Sequence, residues 1–76
     1  MDERVRHVLA VALEIPENEI DERLGAEHTS KWDSIRHLNL VMALEDTFAI
    51  SFSTEELAAL TSYQAVMEAL AQRGRP

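Results

Sequence analysis

Asp33-Ser34-Ile35-Arg36-His37-Leu38-Asn39-Leu40-Val41-Met42-Ala43-Leu44-Glu45-Asp46-Thr47-Phe48 is the stretch that decides the fold. It contains no Gly or Pro to interrupt a helix, and it opens on Asp33, whose short carboxylate suits an N-cap. The apolar residues Ile35, Leu38, Val41, Met42, Leu44 and Phe48 span a broad face. That breadth implies burial against several neighbours, with some apolar surface to spare. Each fully buried Leu, Val or Phe contributes roughly 1.5–3 kcal/mol, so this helix is expected to anchor the fold.

On the N-terminal side, Val5, Val8, Leu9, Ala12 and Leu13 recur at i, i+3, i+4, i+7 and i+8, which predicts a helix over 3–14 with one buried stripe. Asp2 is its candidate cap. Pro16 stops that helix at or near Ile15. The stretch from there to Trp32 has no sustained period, only the apolar anchors Ile20 and Leu24. It reads as a long loop with one helical turn after Pro16. Its charged residues are those of a solvated surface, and Trp32 is expected to pin the loop to the bundle.

On the C-terminal side, Ala49-Ile50-Ser51-Phe52 alternates briefly, but a lone four-residue strand has no pairing partner, so the segment reads as a loop with two core anchors. Ser53 and Glu56 form a capping box that opens a short third helix through Leu57 and Leu60. Thr61 and Gln64 repeat the spacing, and Tyr63, Val66, Met67 and Leu70 form the stripe of a fourth helix ending near Arg73-Gly74. Arg75 and Pro76 read as a frayed end. The expectation is an all-α fold: a small four-helix bundle with three longer helices, one short helix and a long first loop. Its core is expected to include Val8, Leu9, Leu38, Val41, Leu44, Phe48, Ile50, Leu60, Val66 and Leu70.

A chain of 76 residues is one domain's worth, spanning 1–76, and too short to enclose both a deep catalytic cleft and a substantial core. Fourteen acidic residues against seven basic ones give a net charge of −7, which disfavours nucleic acid and anionic membrane surfaces as partners. A basic patch on another protein is the better match. There is no cysteine, so any reactive thiol must be imported, and thiolate metal sites are excluded. His7, His28 and His37 fall on different elements without ligand spacing, so no metal site is expected. The start of the chain lacks a signal-peptide pattern and no apolar run reaches membrane-spanning length, so a cytoplasmic monomer without membrane insertion is expected. Asp33, Ser34 and His37 carry the residue types of a hydrolase triad, but a chain this short has no oxyanion-hole loop to accompany them, and no catalytic residues are expected.

The segment Asp33-Ser34-Ile35, followed by Leu38, Val41, Met42, Ala43, Leu44, Glu45 and Phe48, resembles the acyl carrier family, whose signature is Asp-Ser-Leu opening the second of four helices. The similarity runs on through Ile50, Phe52 and the short acidic helix, covering about two thirds of the chain. The resemblance implies a free-standing carrier, not an enzyme, whose Ser34 is esterified to 4′-phosphopantetheine from coenzyme A by a phosphopantetheinyl transferase. Asp33 and Ile35 would flank the attachment site. An acyl group would then travel as a thioester between acyl-loading and acyl-using enzymes of fatty acid or polyketide biosynthesis, and their basic patches would dock along Arg36, Asn39, Met42, Glu45 and Asp46. The family's acyl chain can also fold back between the helices. Physical chemistry is compatible with the attachment, because a helix's first turn favours a phosphodiester's negative charge.

Two departures from the family pattern concern partners. Arg36 and Asn39 stand where the familiar fatty-acid carriers usually have acidic residues, so Arg36 is expected to help exclude those carriers' enzymes. Ile35 replaces the usual Leu, a minor change. The alternatives within the residues' reach are an aminoacyl or peptidyl carrier, and an unmodified helical interaction module binding a basic partner.

Overall fold

The computed structural model describes residues 3–74. The proposed cap Asp2 and the expected frayed end at Arg75 and Pro76 lie outside the described residues. Among the described residues there are four α-helices: α1 (Glu3–Leu13), α2 (Ser34–Phe48), α3 (Thr54–Ala59) and α4 (Tyr63–Gln72). No strand occurs among the described residues, and a single 3-10 turn over Glu17–Glu19 follows Pro16, as the sequence implies.

Helix α1 buries every residue of its expected stripe, with Val5, Leu9 and Leu13 fully enclosed. It ends one residue early because Glu14 turns into the left-handed region at φ 59°, and the amide of Ile15 then closes on the carbonyl of Ala10. Such a turn satisfies carbonyls that the helix leaves open, although a residue with a Cβ adopts it at some cost. Lys31 donates to the Glu14 carbonyl at 3.4 Å, bringing a cation to the negative end of α1.

The long first loop is ordered by apolar anchors and a short backbone pairing. Ile20, Leu24 and Trp32 are all buried, which bears out the anchoring role expected of Trp32. The Ala26 amide donates to the Thr61 carbonyl, and the Tyr63 amide donates to the Leu24 carbonyl, each at 2.9 Å. Gly25 and Ser62 therefore form an isolated antiparallel bridge that fastens the loop to the junction between α3 and α4.

The buried face of α2 is Leu40, Val41, Leu44 and Phe48, and this corrects the expected core at one position. Leu38 is 52% exposed, while Leu40, absent from the expected stripe, is fully enclosed. The physical reason is helical phase. Val41, Leu44 and Phe48 face α1 and the buried core, and at 100° per residue Leu40 shares that face whereas Leu38 does not. Ile35, Leu38 and Met42 instead form an outward stripe at i, i+3 and i+7. A helix with apolar residues on both sides gave the sequence no means of ranking the two faces.

Helix α3 opens with the expected capping box: the Ser53 hydroxyl accepts from the Glu56 amide and the Glu56 carboxylate accepts from the Ser53 amide. The α4 cap falls one residue later than expected, with the Ser62 hydroxyl accepting from the Ala65 amide at 3.0 Å. The backbone pairing of Leu24 with Tyr63 fixes the chain there and makes Tyr63 the first helical residue. Ile50 and Phe52 pack against the core as partly buried anchors, and Leu60, Val66 and Leu70 complete it.

Candidate functional site

Asp33 fixes where α2 begins. Its backbone is extended, and one carboxylate oxygen accepts from the Arg36 amide at 2.9 Å, which is N-capping geometry. The other oxygen accepts from the Arg36 guanidinium at 2.7 Å. The Arg36 amide, together with the Arg36 charge and the Ile35 amide, holds the Asp33 carboxyl below its ordinary range. Arg36 also donates to the Glu14 carboxylate at 3.1 Å. The guanidinium thus ties the end of α1 to the start of α2, with two carboxylates set against its single charge.

Ser34 is the first residue of α2 and is exposed. The start of α2 differs from those of α3 and α4. At α3 and α4 the serine hydroxyls of Ser53 and Ser62 are consumed as caps. At α2 the capping is done by Asp33, so the neighbouring serine presents its hydroxyl to solvent beside the amides of the first turn. Those amides and the helix dipole create a setting in which a phosphodiester is electrostatically favoured.

A shallow groove of about 430 Å³ opens at Ser34. One wall is Ser34 and Leu38 of α2, and the opposite wall is Ala58 of α3 with Thr61. Trp32 and His37 also line it. Their rings stack at 6.3 Å between centroids with 29° between planes. The Trp32 indole N–H donates to His37 Nδ1 at 3.0 Å, and His37 Nε2 lies 2.8 Å from the Leu57 carbonyl. An indole nitrogen is donor only and a carbonyl is acceptor only, so these partners assign His37 the neutral form with its proton on Nε2. The sequence treated His37 as an ordinary histidine. Its bridge joins a loop residue, α2 and α3, and no spacing along the chain signals it.

Over the rest of α2, the structure separates the candidate docking residues. Ile35, Leu38, Asn39, Met42 and Asp46 are exposed. Glu45 turns partly inward, its carboxylate accepting from the Phe52 amide at 2.8 Å, so it braces the loop after α2. Farther away, Glu56 is paired with Arg73; that contact and the Ser53 amide lower its carboxyl from 4.5 to about 2.

Along the chain, 33% of residues are identical with Acyl carrier protein 3 of Ralstonia nicotianae, in an alignment covering 95% of this chain and 87% of that protein. The chain belongs to the acyl carrier protein family. No family model matches it. Membership agrees with the helical architecture and makes the chain a carrier in the general sense. Among the described residues of this carrier, no helix is long and apolar enough to cross a membrane.

Proposed function

We propose that this carrier, folded as one domain, bears 4′-phosphopantetheine on Ser34 and shuttles an acyl group between partner enzymes without catalysing a reaction itself. The observation that supports this most is the division of labour at the start of α2, where Asp33 caps the helix and leaves the Ser34 hydroxyl exposed. Modification by a phosphopantetheinyl transferase forms a bond from Ser34 Oγ to the β-phosphorus of coenzyme A, breaks the phosphoanhydride bond to adenosine 3′,5′-bisphosphate, and releases the serine proton to the transferase. The first-turn amides and the α2 dipole then stabilise the phosphodiester charge, while Arg36 offsets the adjacent Asp33 carboxylate. When bound, the arm supplies a thiol that holds the acyl group as a thioester, and its flexibility raises the local concentration of that group at a docked enzyme.

The outward stripe of Ile35, Leu38 and Met42, with Asn39 and Asp46 beside it, is the surface proposed to meet the transferase and the acyl-loading and acyl-using enzymes. Its apolar residues supply contact area, and the acidic end of α2 steers a basic patch into register. Glu45 is supported more as a brace for this surface than as a direct contact. The absence of cysteine gives a direct test: with a broad-specificity transferase and coenzyme A, thiol titration rises from zero to one per chain. A titre that stays at zero would overturn the proposal.

A further inference from the structure

We infer that the Trp32–His37 ring pair decides which residue caps α2, and that His37 is thereby a positioning residue for the modification of Ser34; this rests on the carrier function proposed above. Two adjacent residues compete for the cap. Asp and Ser are close to equal in N-cap preference, so intrinsic preference does not choose between Asp33 and Ser34. The choice matters chemically, because a capping serine has a hydroxyl lone pair held by a backbone amide and its oxygen turned toward the helix end, as at Ser53 and Ser62. A serine one residue after the cap is free to react.

The entry of a chain into a helix is fixed where the residue before the cap packs against the fourth helical residue. With Asp33 as cap and Ser34 as the first residue of α2, those positions are Trp32 and His37. They meet: the rings stack, and the indole N–H donates to His37 Nδ1 at 3.0 Å. The Leu57 carbonyl holds the ring proton on Nε2, which leaves the Nδ1 lone pair for the indole. Trp32 is buried and its amide donates to the Thr29 carbonyl, so it is held from the loop side as well. If Ser34 capped instead, the same two positions would fall on Asp33 and Leu38, a carboxylate and an exposed leucine with nothing to bring them together. Only the observed register has a matched pair. The Arg36 guanidinium also holds Asp33, but it divides its charge with Glu14, and a long side chain follows a one-residue shift more readily than two stacked rings do.

The experiment uses the full chain as wild type, His37→Ala, His37→Asn and Trp32→Phe. Alanine removes both the ring and the acceptor, the asparagine oxygen can stand where Nδ1 does, and phenylalanine keeps an aromatic anchor without an N–H to donate. Two quantities are read for each protein: the rate of loading by a broad-specificity transferase with coenzyme A, followed by intact mass, and the titration of the Asp33 carboxyl, followed by carbon NMR. The Arg36 amide, with the Arg36 charge and the Ile35 amide, holds that carboxyl below its ordinary range, so a cap that passes to Ser34 lets it rise. In His37→Ala, loading is expected to slow roughly fivefold or more, the population ratio that one capping contact controls, and Asp33 to titrate at higher pH than in wild type. Trp32→Phe is expected to move both quantities in the same direction, and His37→Asn to return them toward wild type. Loading of His37→Ala at the wild-type rate overturns the inference. Slower loading with Asp33 still held low is general loosening without a change of cap, and overturns it too. Should His37→Ala not fold, the same two results in Trp32→Phe decide. A wild type that fails to load counts against the carrier function instead, and the Asp33 titrations still test the ring pair.

Discussion

Leu38 and Leu40 are two residues apart on one helix, and the same substitution at each should have very unequal consequences. Leu40 is fully enclosed and Leu38 is 52% exposed. Truncating an enclosed leucine removes its transfer free energy and leaves a cavity, so Leu40→Ala is expected to cost about 2–5 kcal/mol. A chain of 76 residues has total stability of only about 4–11 kcal/mol at ordinary values per residue. The loss is therefore a large fraction of the whole, and a melting-temperature drop of roughly 8–40 °C follows for a domain this small. Leu38→Ala removes no buried contact of comparable size and should stay within about 0.5 kcal/mol. Alanine and leucine are both good helix formers, so propensity does not confuse the comparison. Urea denaturation followed by helical circular dichroism gives both values under one set of conditions. Equal losses, or a larger loss for Leu38→Ala, would refute the rotational setting of α2 on which the docking surface and the groove both depend.

Other expectations follow from the charged contacts. Glu56 has its folded pKa lowered from 4.5 to about 2 by Arg73 and the Ser53 amide, so its contribution to stability is complete above about pH 4.5 and is lost as pH falls toward 2. Urea midpoints measured through that interval should fall less steeply in Glu56→Gln than in wild type; identical slopes would contradict the assignment. Arg36 offsets Asp33 and Glu14, so Arg36→Asp combined with Asn39→Glu leaves an unshielded acidic cluster at the start of α2. Once modified at Ser34, that variant is expected to be turned over roughly threefold or more faster by a fatty-acid-synthesis acyltransferase at low salt, with the gain fading as salt is added. Unchanged turnover in the folded variant would remove Arg36 as a barrier to such enzymes.

Much of this molecule was legible because its helices carry local signals. The stripe from Val5 to Leu13, the stop at Pro16, the Ser53–Glu56 capping box and Asp33 beside Ser34 are all patterns within a few residues, and the structure keeps each of them. What was not legible depends on tertiary partners. Leu38 and Leu40 are chemically identical, and only the packing of α2 against α1 and the rest of the core decides which is enclosed. The α4 cap moved from Thr61 to Ser62 because a distant segment, Leu24–Ala26, pairs with the backbone there. Arg36 reads as a charge facing partner enzymes until the fold brings Glu14 to it. The Trp32–His37–Leu57 bridge likewise exists only once α3 is docked, so no spacing could announce it.

The central claim is that the exposed hydroxyl at the start of α2 is the attachment point for the carrier's arm. It is tested most directly by intact-mass measurement of wild type and Ser34→Ala after incubation with a broad-specificity phosphopantetheinyl transferase and coenzyme A, followed by fragment mass mapping. Wild type is expected to gain the mass of a single phosphopantetheine, mapped to Ser34, and Ser34→Ala is expected to gain nothing. An unmodified wild type, or a modified Ser34→Ala protein, would contradict it.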